Sequence, residues 1–338
     1  MVRGSLKFKE FAWNGFSINI PEDMRLTVES GNLNSGYLRL ERENLSMEVK
    51  WGRFDPKKAK PLAEVANSFL KEVKKNIEKE TKKKIDLKAE TLENRFVSSH
   101  NAYSMAIKGG ANDLLYMWTC DESERIILLH FTSILPKNEG MEIIERILES
   151  FKCHDRKEGF IQWSALNMRF MLPSTFLLSD RRIAVGRTYL LFEERKLSPL
   201  AEKGRNLIIE YFSMANLLFG SKCRKLEEWF QENYWKDLKK RYKHISFQKT
   251  DFRRLMRHNV LHKRGIKNSG LIWRRTSLCE NFTWYCSRSN RIYSISFISY
   301  VSKPFFLKRA INEEEDEKIL QTFLSSFQCH SKSREKKT

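Results

Sequence analysis

Hydrophobic and polar residues alternate over short runs at the start of the chain, as in Phe16-x-Ile18-x-Ile20-Pro21, and again near 37–42 and 45–52. A period of two predicts half-buried strands. The period then lengthens. Leu62, Val65, Ala66, Phe69, Leu70, Val73 and Ile77 fall on one face of a helix over 61–80. Strands follow near 85–91 and 100–108, then a hairpin of 114–120 with 125–134. A closing helix over 140–151 turns Met141, Ile144, Ile147, Leu148 and Phe151 inward. The order then restarts with strands at 166–172, 183–192 and 206–213. A helix over 222–243 carries Leu226, Trp229, Phe230, Tyr234, Leu238 and Tyr242 as its apolar stripe. Strands near 245–251 and 258–263, a hairpin of 271–286 with 291–301 and a last helix over 313–328 complete it. That helix begins Glu313-Glu-Glu-Asp-Glu317, where acidic side chains suit the positive end of the helix dipole.

The restart is written in the residues themselves. Trp118-x-Cys120-x-x-Ser123-x-Arg125-Ile126-x-x-x-x-Phe131-x-Ser133 recurs as Trp284-x-Cys286-x-x-Ser289-x-Arg291-Ile292-x-x-x-x-Phe297-x-Ser299, seven identities in sixteen positions. Leu148-Glu-Ser150-Phe151-Lys-Cys153-His154 recurs as Leu324-Ser-Ser326-Phe327-Gln-Cys329-His330. His100-Asn101 answers His258-Asn259, and Phe16-x-Ile18-x-Ile20-Pro21 answers Met168-x-Phe170-x-Leu172-Pro173. The matches keep their order, so a domain-sized unit is duplicated. The second copy is longer, which places insertions near 193–206 and 262–272.

This pattern predicts an α+β fold: two tandem repeats, 1–156 and 157–338, each a mostly antiparallel sheet flanked by a long central helix and a C-terminal helix. The strand ending at Pro21, Val49-x-Trp51 before the long helix and His100-x-Ala102-Tyr103 after it resemble the PsbP-like family. That family is named for a photosystem II extrinsic subunit and includes a Ran-binding import factor. The second copy departs from the pattern, with Tyr211 for the tryptophan and Val260-Leu261 for Ala-Tyr. The resemblance implies a non-catalytic binding or assembly role.

Composition narrows the class. In 338 residues, 41% are hydrophobic and 23 are phenylalanine, so the chain folds rather than staying disordered. No 18-residue apolar run and no signal-peptide pattern occur, so the expected location is cytoplasmic, without membrane insertion. A charged fraction of 31% rich in Lys and Glu hints at a thermophilic source.

Four of the six cysteines are duplicated, Cys120 and Cys153 in one copy and Cys286 and Cys329 in the other. The closing helix runs back across the sheet and brings Cys153 toward Cys120. Disulfides Cys120–Cys153 and Cys286–Cys329 are the first expectation, and buried thiols are the second. A metal site is the third, because His154 and His330 follow the cysteines. Counted this way, each copy offers three ligands, one short of a closed zinc site, so no metal and no cofactor are assigned. His258 and His262, four apart on a strand, lie too far apart to share one ion, and His100 and His258 are read as hydrogen-bonding within the fold. Cys223 and Cys279 are read as packed residues and Gly109-Gly110 as a bulge or turn. Phosphate-loop, nucleophile-elbow and metalloprotease motifs are missing, and no catalytic residue is assigned.

The net charge of +20 is uneven. Residues 1–156 hold 26 Lys/Arg and 24 Asp/Glu, whereas 157–338 hold 36 and 18. The excess gathers in a band: Lys239, Lys240, Arg241 and Lys243, then Arg253, Arg254, Arg257, Lys263, Arg264, Lys267, Arg274 and Arg275. The first copy folds without it, so the band points to an anionic partner. Nucleic acid or a ribonucleoprotein is the first expectation, with Phe247, Phe252 and Trp273 as possible stacking groups. The alternative is an assembly factor that docks on an acidic protein.

Overall fold

The computed structural model describes the chain except residues 1–5, 85, 98, 109–111, 155, 158, 221–224, 242–245, 256, 309 and 331–338. Gly109, Gly110, Cys223 and Lys243 therefore lie outside the described residues. Two compact units are present, 1–157 with 162–166, and 158–161 with 167–338.

In unit one the strands are β1 (Phe8–Trp13), β2 (Phe16–Pro21), β3 (Arg25–Gly31), β4 (Gly36–Arg42) and β5 (Leu45–Arg53). Helix α1 (Leu62–Thr81) follows, then β6 (Lys88–Thr91), β7 (Arg95–Val97), β8 (His100–Lys108), β9 (Asn112–Cys120), β10 (Arg125–Ser133) and α2 (Lys137–Ser150). Strand β5 shows the period-two rule at work: Leu45, Met47, Val49 and Trp51 are buried, and the residues between them are not. The main sheet runs β3-β4-β5-β10-β9-β8-β6, with β7 also on β8. Helix α1 lays Ala66 and Phe69 on Met105, Leu115, Met117 and Leu128.

The chain continues through β11 (Arg156–Lys157) and β12 (Phe160–Ala165), whose Ser164 pairs with Ala12 of β1. Unit two holds β13 (Met168–Pro173), β14 (Leu177–Ala184), β15 (Arg187–Ser198), β16 (Ala201–Ser213), α3 (Ala215–Gly220), α4 (Leu226–Trp229) and α5 (Trp235–Arg241). It ends with β17 (Ser246–Leu255), β18 (His258–Ser269), β19 (Trp273–Cys286), β20 (Arg291–Pro304) and α6 (Glu313–Ser326). Its sheet runs β14-β15-β16-β20-β19-β18-β17, the order of unit one's sheet strand for strand. Smaller details recur too. Lys152 and Ser17 exchange two backbone bonds of 2.8 Å, and Arg169 and Gln328 exchange two of 3.0 and 2.7 Å. The Ser150 hydroxyl accepts from Asn19 N–H at 2.9 Å, as Ser326 does from Met171.

The α+β expectation is corrected. Among the described residues, strands make up 55% and helices 22%, in three antiparallel sheets, so the fold is mainly β. The helix expected over 222–243 forms one unbroken helical run over 226–241, but it is not regular throughout. Among the described residues that segment is α4, a wide five-residue turn over Phe230–Tyr234, and α5. Trp235 N–H reaches back five residues to Phe230 O. In a regular helix residues five apart diverge by roughly 140°, whereas a wide turn returns them to one face. Trp229 and Tyr234 accordingly stack, their rings 6.2 Å apart, and both are buried with Phe230 and Leu238. The apolar stripe was legible; the backbone bends to use it.

The expected insertions near 193–206 and 262–272 fall largely within strands. They lengthen strands: β15, β18, β19 and β20 have 12, 12, 14 and 14 residues where β4, β8, β9 and β10 have 7, 9, 9 and 9.

Candidate functional site

Three segments meet at one end of each main sheet. In unit one they are the first residue of β8, the last of β9 and the extended residues after α2. They bring together His100, Cys120, Cys153 and His154, whose nearest donor atoms all lie within 4.8 Å of one another. His100 Nε2 is 3.0 Å from Cys153 Sγ, and His154 Nδ1 is 3.2 Å from Cys120 Sγ and 3.1 Å from Cys153 Sγ. Unit two repeats this with His258, Cys286, Cys329 and His330. There His258 Nε2 is 3.1 Å from Cys329 Sγ, and His330 Nδ1 is 3.3 Å from Cys286 Sγ and 3.1 Å from Cys329 Sγ.

The expected disulfides are not formed. All four cysteines are free, and Cys286 and Cys329 Sγ stand 3.5 Å apart, against about 2.05 Å for a bonded pair. The closing helix does bring Cys153 to Cys120, as its direction required. The ligand count from sequence was short by one, because His100 and His258 sit on a neighbouring strand, remote in the chain. Their recurrence at equivalent places was the available signal. Burial lowers the His100 pKa, helped by the nearby His154. Cys286 is held well below the usual thiol range by hydrogen bonding from Cys329, against burial, with His258 and Ser289 adding to it. Cys279, by contrast, is pushed up by burial and packs as a neutral thiol with Tyr189, Ile208 and Ile298.

Outer contacts differ between the clusters. Ser123 N–H points at Cys120 Sγ at 3.4 Å, as the Ser289 backbone does at Cys286, but only in unit one does a carboxylate follow: Glu122 Oε2 lies 3.3 Å from His154 Nε2. In unit two Arg288 Nη1 is 3.5 Å from His330 Nε2 instead.

The basic band does not form one patch. Arg253, Arg254 and Lys249 lie exposed on the edge strand β17 beside Phe252, and Arg257 is exposed in the following turn. Lys267, Arg274 and Arg275 lie toward the opposite end, because eleven residue steps along β18 take the chain from His258 to Ser269, roughly 36 Å. Between them the charges serve the fold. Lys263 is 2% exposed, with Nζ 3.1 Å from Thr250 Oγ1 and 3.3 Å from Glu227. Arg264 bonds Glu313 at 2.6 Å, His262 sits between Asp251 and Glu280, and the Arg275 guanidinium stacks 3.5 Å from the Tyr300 ring centre. Lys240 is exposed on α5, where the backbones of Lys239 and Arg241 also lie.

The strand extensions create a feature the sequence did not suggest. Cross-strand register aligns Leu197 with Glu202, Glu202 with Ser302, and Ser302 with Arg275. The β15–β16 turn, the β18–β19 turn and the residues after β20 thus share one end of the sheet, and Phe305 N–H bonds Ile272 O at 2.8 Å. Leu197, Leu200, Leu271, Ile272, Trp273, Phe305 and Phe306 are all exposed there, Leu271 by 86%. Lys196, Lys203, Arg274 and Lys308 are exposed around them. In unit one, Ile134 alone among the described large hydrophobics is exposed at the corresponding end.

No family model and no curated protein matches the chain. Among solved structures it is similar to the cyanobacterial PsbP (CyanoP) of Synechocystis sp. PCC 6803. That match has 13% identity and a TM-score of 0.33, and it covers 46% of this chain and 96% of that one. No helix among the described residues is long and apolar enough to cross a membrane.

Proposed function

We propose that the protein is a non-catalytic assembly factor made of two copies of one domain, and that the second copy docks an acidic partner protein. The supporting observation is the apolar fringe at the end of the extended sheet, collared by Lys196, Lys203, Arg274 and Lys308. Isolated exposed leucines are ordinary, but seven large apolar side chains at one end mark an interaction surface. Leu, Ile and Phe at hairpin tips suit a protein surface better than phosphates, and the lysine–arginine collar selects a partner with acidic residues around its own apolar patch.

The nucleic-acid reading rests on the other end of the sheet, where Lys249, Arg253, Arg254 and Arg257 accompany the exposed ring of Phe252. It is the weaker reading, because Lys263, Arg264 and Arg275 are engaged within the unit.

The two readings separate on paired variants. Wild type, L271D/F305D and R253E/R254E/R257E would be compared for nuclease-resistant retention of partners, followed by binary binding with the purified partner. A protein with an acidic surface, bound at least tenfold more weakly by L271D/F305D alone, supports docking at the fringe. Binding to single-stranded RNA that falls steeply with salt and is lost in the arginine variant would replace that reading with the second. Equal partner binding by L271D/F305D, or retention on anionic vesicles alone, would overturn it.

A further inference from the structure

We propose that each unit holds one zinc ion in a closed tetrahedral site. The ligands are His100 Nε2, Cys120 Sγ, Cys153 Sγ and His154 Nδ1 in the first, and His258 Nε2, Cys286 Sγ, Cys329 Sγ and His330 Nδ1 in the second. Zinc–sulfur bonds of about 2.3 Å and zinc–nitrogen bonds of about 2.0 Å make a tetrahedron with edges of roughly 3.3–3.8 Å. The sulfur–nitrogen and sulfur–sulfur separations in the two clusters run from 3.0 to 3.5 Å. The donors thus already surround a point at nearly the right radius, and an outward shift of a few tenths of an ångström along these edges is all that separates the two.

The chemistry of the donor set agrees. Two thiolates and two neutral imidazoles cancel the charge of one divalent cation, so the occupied site is neutral, as burial demands. Cys120, Cys153 and Cys286 are fully buried and Cys329 is 3% exposed. Two thiolates with two imidazoles in tetrahedral array select zinc over hard cations such as magnesium or calcium, which take oxygen ligands. With four protein ligands no position is left for water or substrate, so the ion is structural. It joins the segment after the closing helix to two strands of the sheet, linking residues remote in sequence.

Rival assignments account for less. A disulfide would use both sulfurs and leave two imidazoles aimed at them without purpose. A cysteine–histidine nucleophile needs a sulfur that substrate can reach, and these are buried. Neither rival explains why the same four residue types are retained at equivalent places in two units that differ widely elsewhere. The clusters take four of the chain's six cysteines and four of its seven histidines. Cys279, buried without a histidine, shows what an ordinary packed cysteine looks like in the same fold.

The test is elemental analysis of the full chain purified under reducing conditions. Two zinc ions per chain are expected, one in His100→Ala and one in His258→Ala, and none in the double variant; Cys279→Ser keeps both. Because a ligand variant can fail to fold, cobalt(II) exchange into wild type provides a second reading. Two equivalents should give the visible bands of tetrahedral cobalt with thiolate charge transfer. A wild-type chain that neither retains zinc nor takes up cobalt(II) overturns the proposal, as does a metal-free native chain with Cys120–Cys153 and Cys286–Cys329 oxidised.

Discussion

Arg205 is the clearest place to test how unit two is held together. Its guanidinium bonds Glu194 Oε2 at 2.6 Å, Asp316 Oδ1 at 2.6 Å and Glu315 Oε2 at 2.7 Å, tying β15 and β16 to the first turn of α6. The side chains of Arg205, Glu194 and Asp316 are 10%, 8% and 8% exposed. Replacing Arg205 by Met leaves two buried carboxylates without their cation, a loss of about 3–5 kcal/mol. For a unit of this size that corresponds to a melting point lower by roughly 6–20 °C. Burial pushes the Glu194 carboxyl up, but hydrogen bonds from Arg205 and Thr175 more than reverse this, and the Arg205 bond pulls Glu315 down. Carboxyls depressed in the folded state contribute stability above their unfolded value of about 4.3, and lose it as pH falls through the folded values. The gap between wild type and Arg205→Met should therefore be full at neutral pH and close in acid. Urea unfolding at a series of pH values measures it. Adding Glu194→Gln and Asp316→Asn should restore more than half of the loss. A neutral-pH gap under about 1 kcal/mol, or one unchanged in acid, would refute the reasoning.

Other outcomes follow from the same geometry. Gly36→Ala would push a Cβ into the Trp51 ring and the Ser30 carbonyl, so urea midpoints should show a loss of about 1–3 kcal/mol. Trp118→Ala empties a buried site beside Phe151, 5.1 Å from ring to ring, and should cost about 3–5 kcal/mol by the same measurement. Lys263→Met should cost far less than Arg205→Met by thermal melting, under about 1 kcal/mol, since its carboxylate partner Glu227 is half exposed and stays hydrated once the ammonium is gone. Glu122 supports His154 where Arg288 faces His330, so His100→Ala, which keeps only the second zinc site, should lose metal to a chelator faster than His258→Ala; equal rates would contradict this.

Periodicity and repetition told much of this from the chain alone. The alternation in Leu45–Arg53 and the helical spacing from Leu62 to Ile77 reported local geometry, because each period is set by the backbone within a few residues. The doubled Trp-x-Cys and Phe-x-Cys-His phrases marked which residues both units keep. What failed was whatever depended on neighbours distant in sequence. The wide turn inside the second unit's helix was missed because the stripe from Leu226 to Leu238 reads alike whether the backbone is regular or opens at Phe230–Tyr234; the packing of Trp229 over Tyr234 decides. The basic band looked continuous because letters in a row are adjacent, whereas a strand spreads them over tens of ångströms and turns Lys263 inward. Most tellingly, the chain displayed Cys153-His154 as a neighbouring pair and left His100 fifty residues away. Only the pairing of β8 with β9, and the return of the closing helix across them, puts the fourth donor beside the other three. A metal site is a property of a point in space, and the sequence by itself has no point in space to offer.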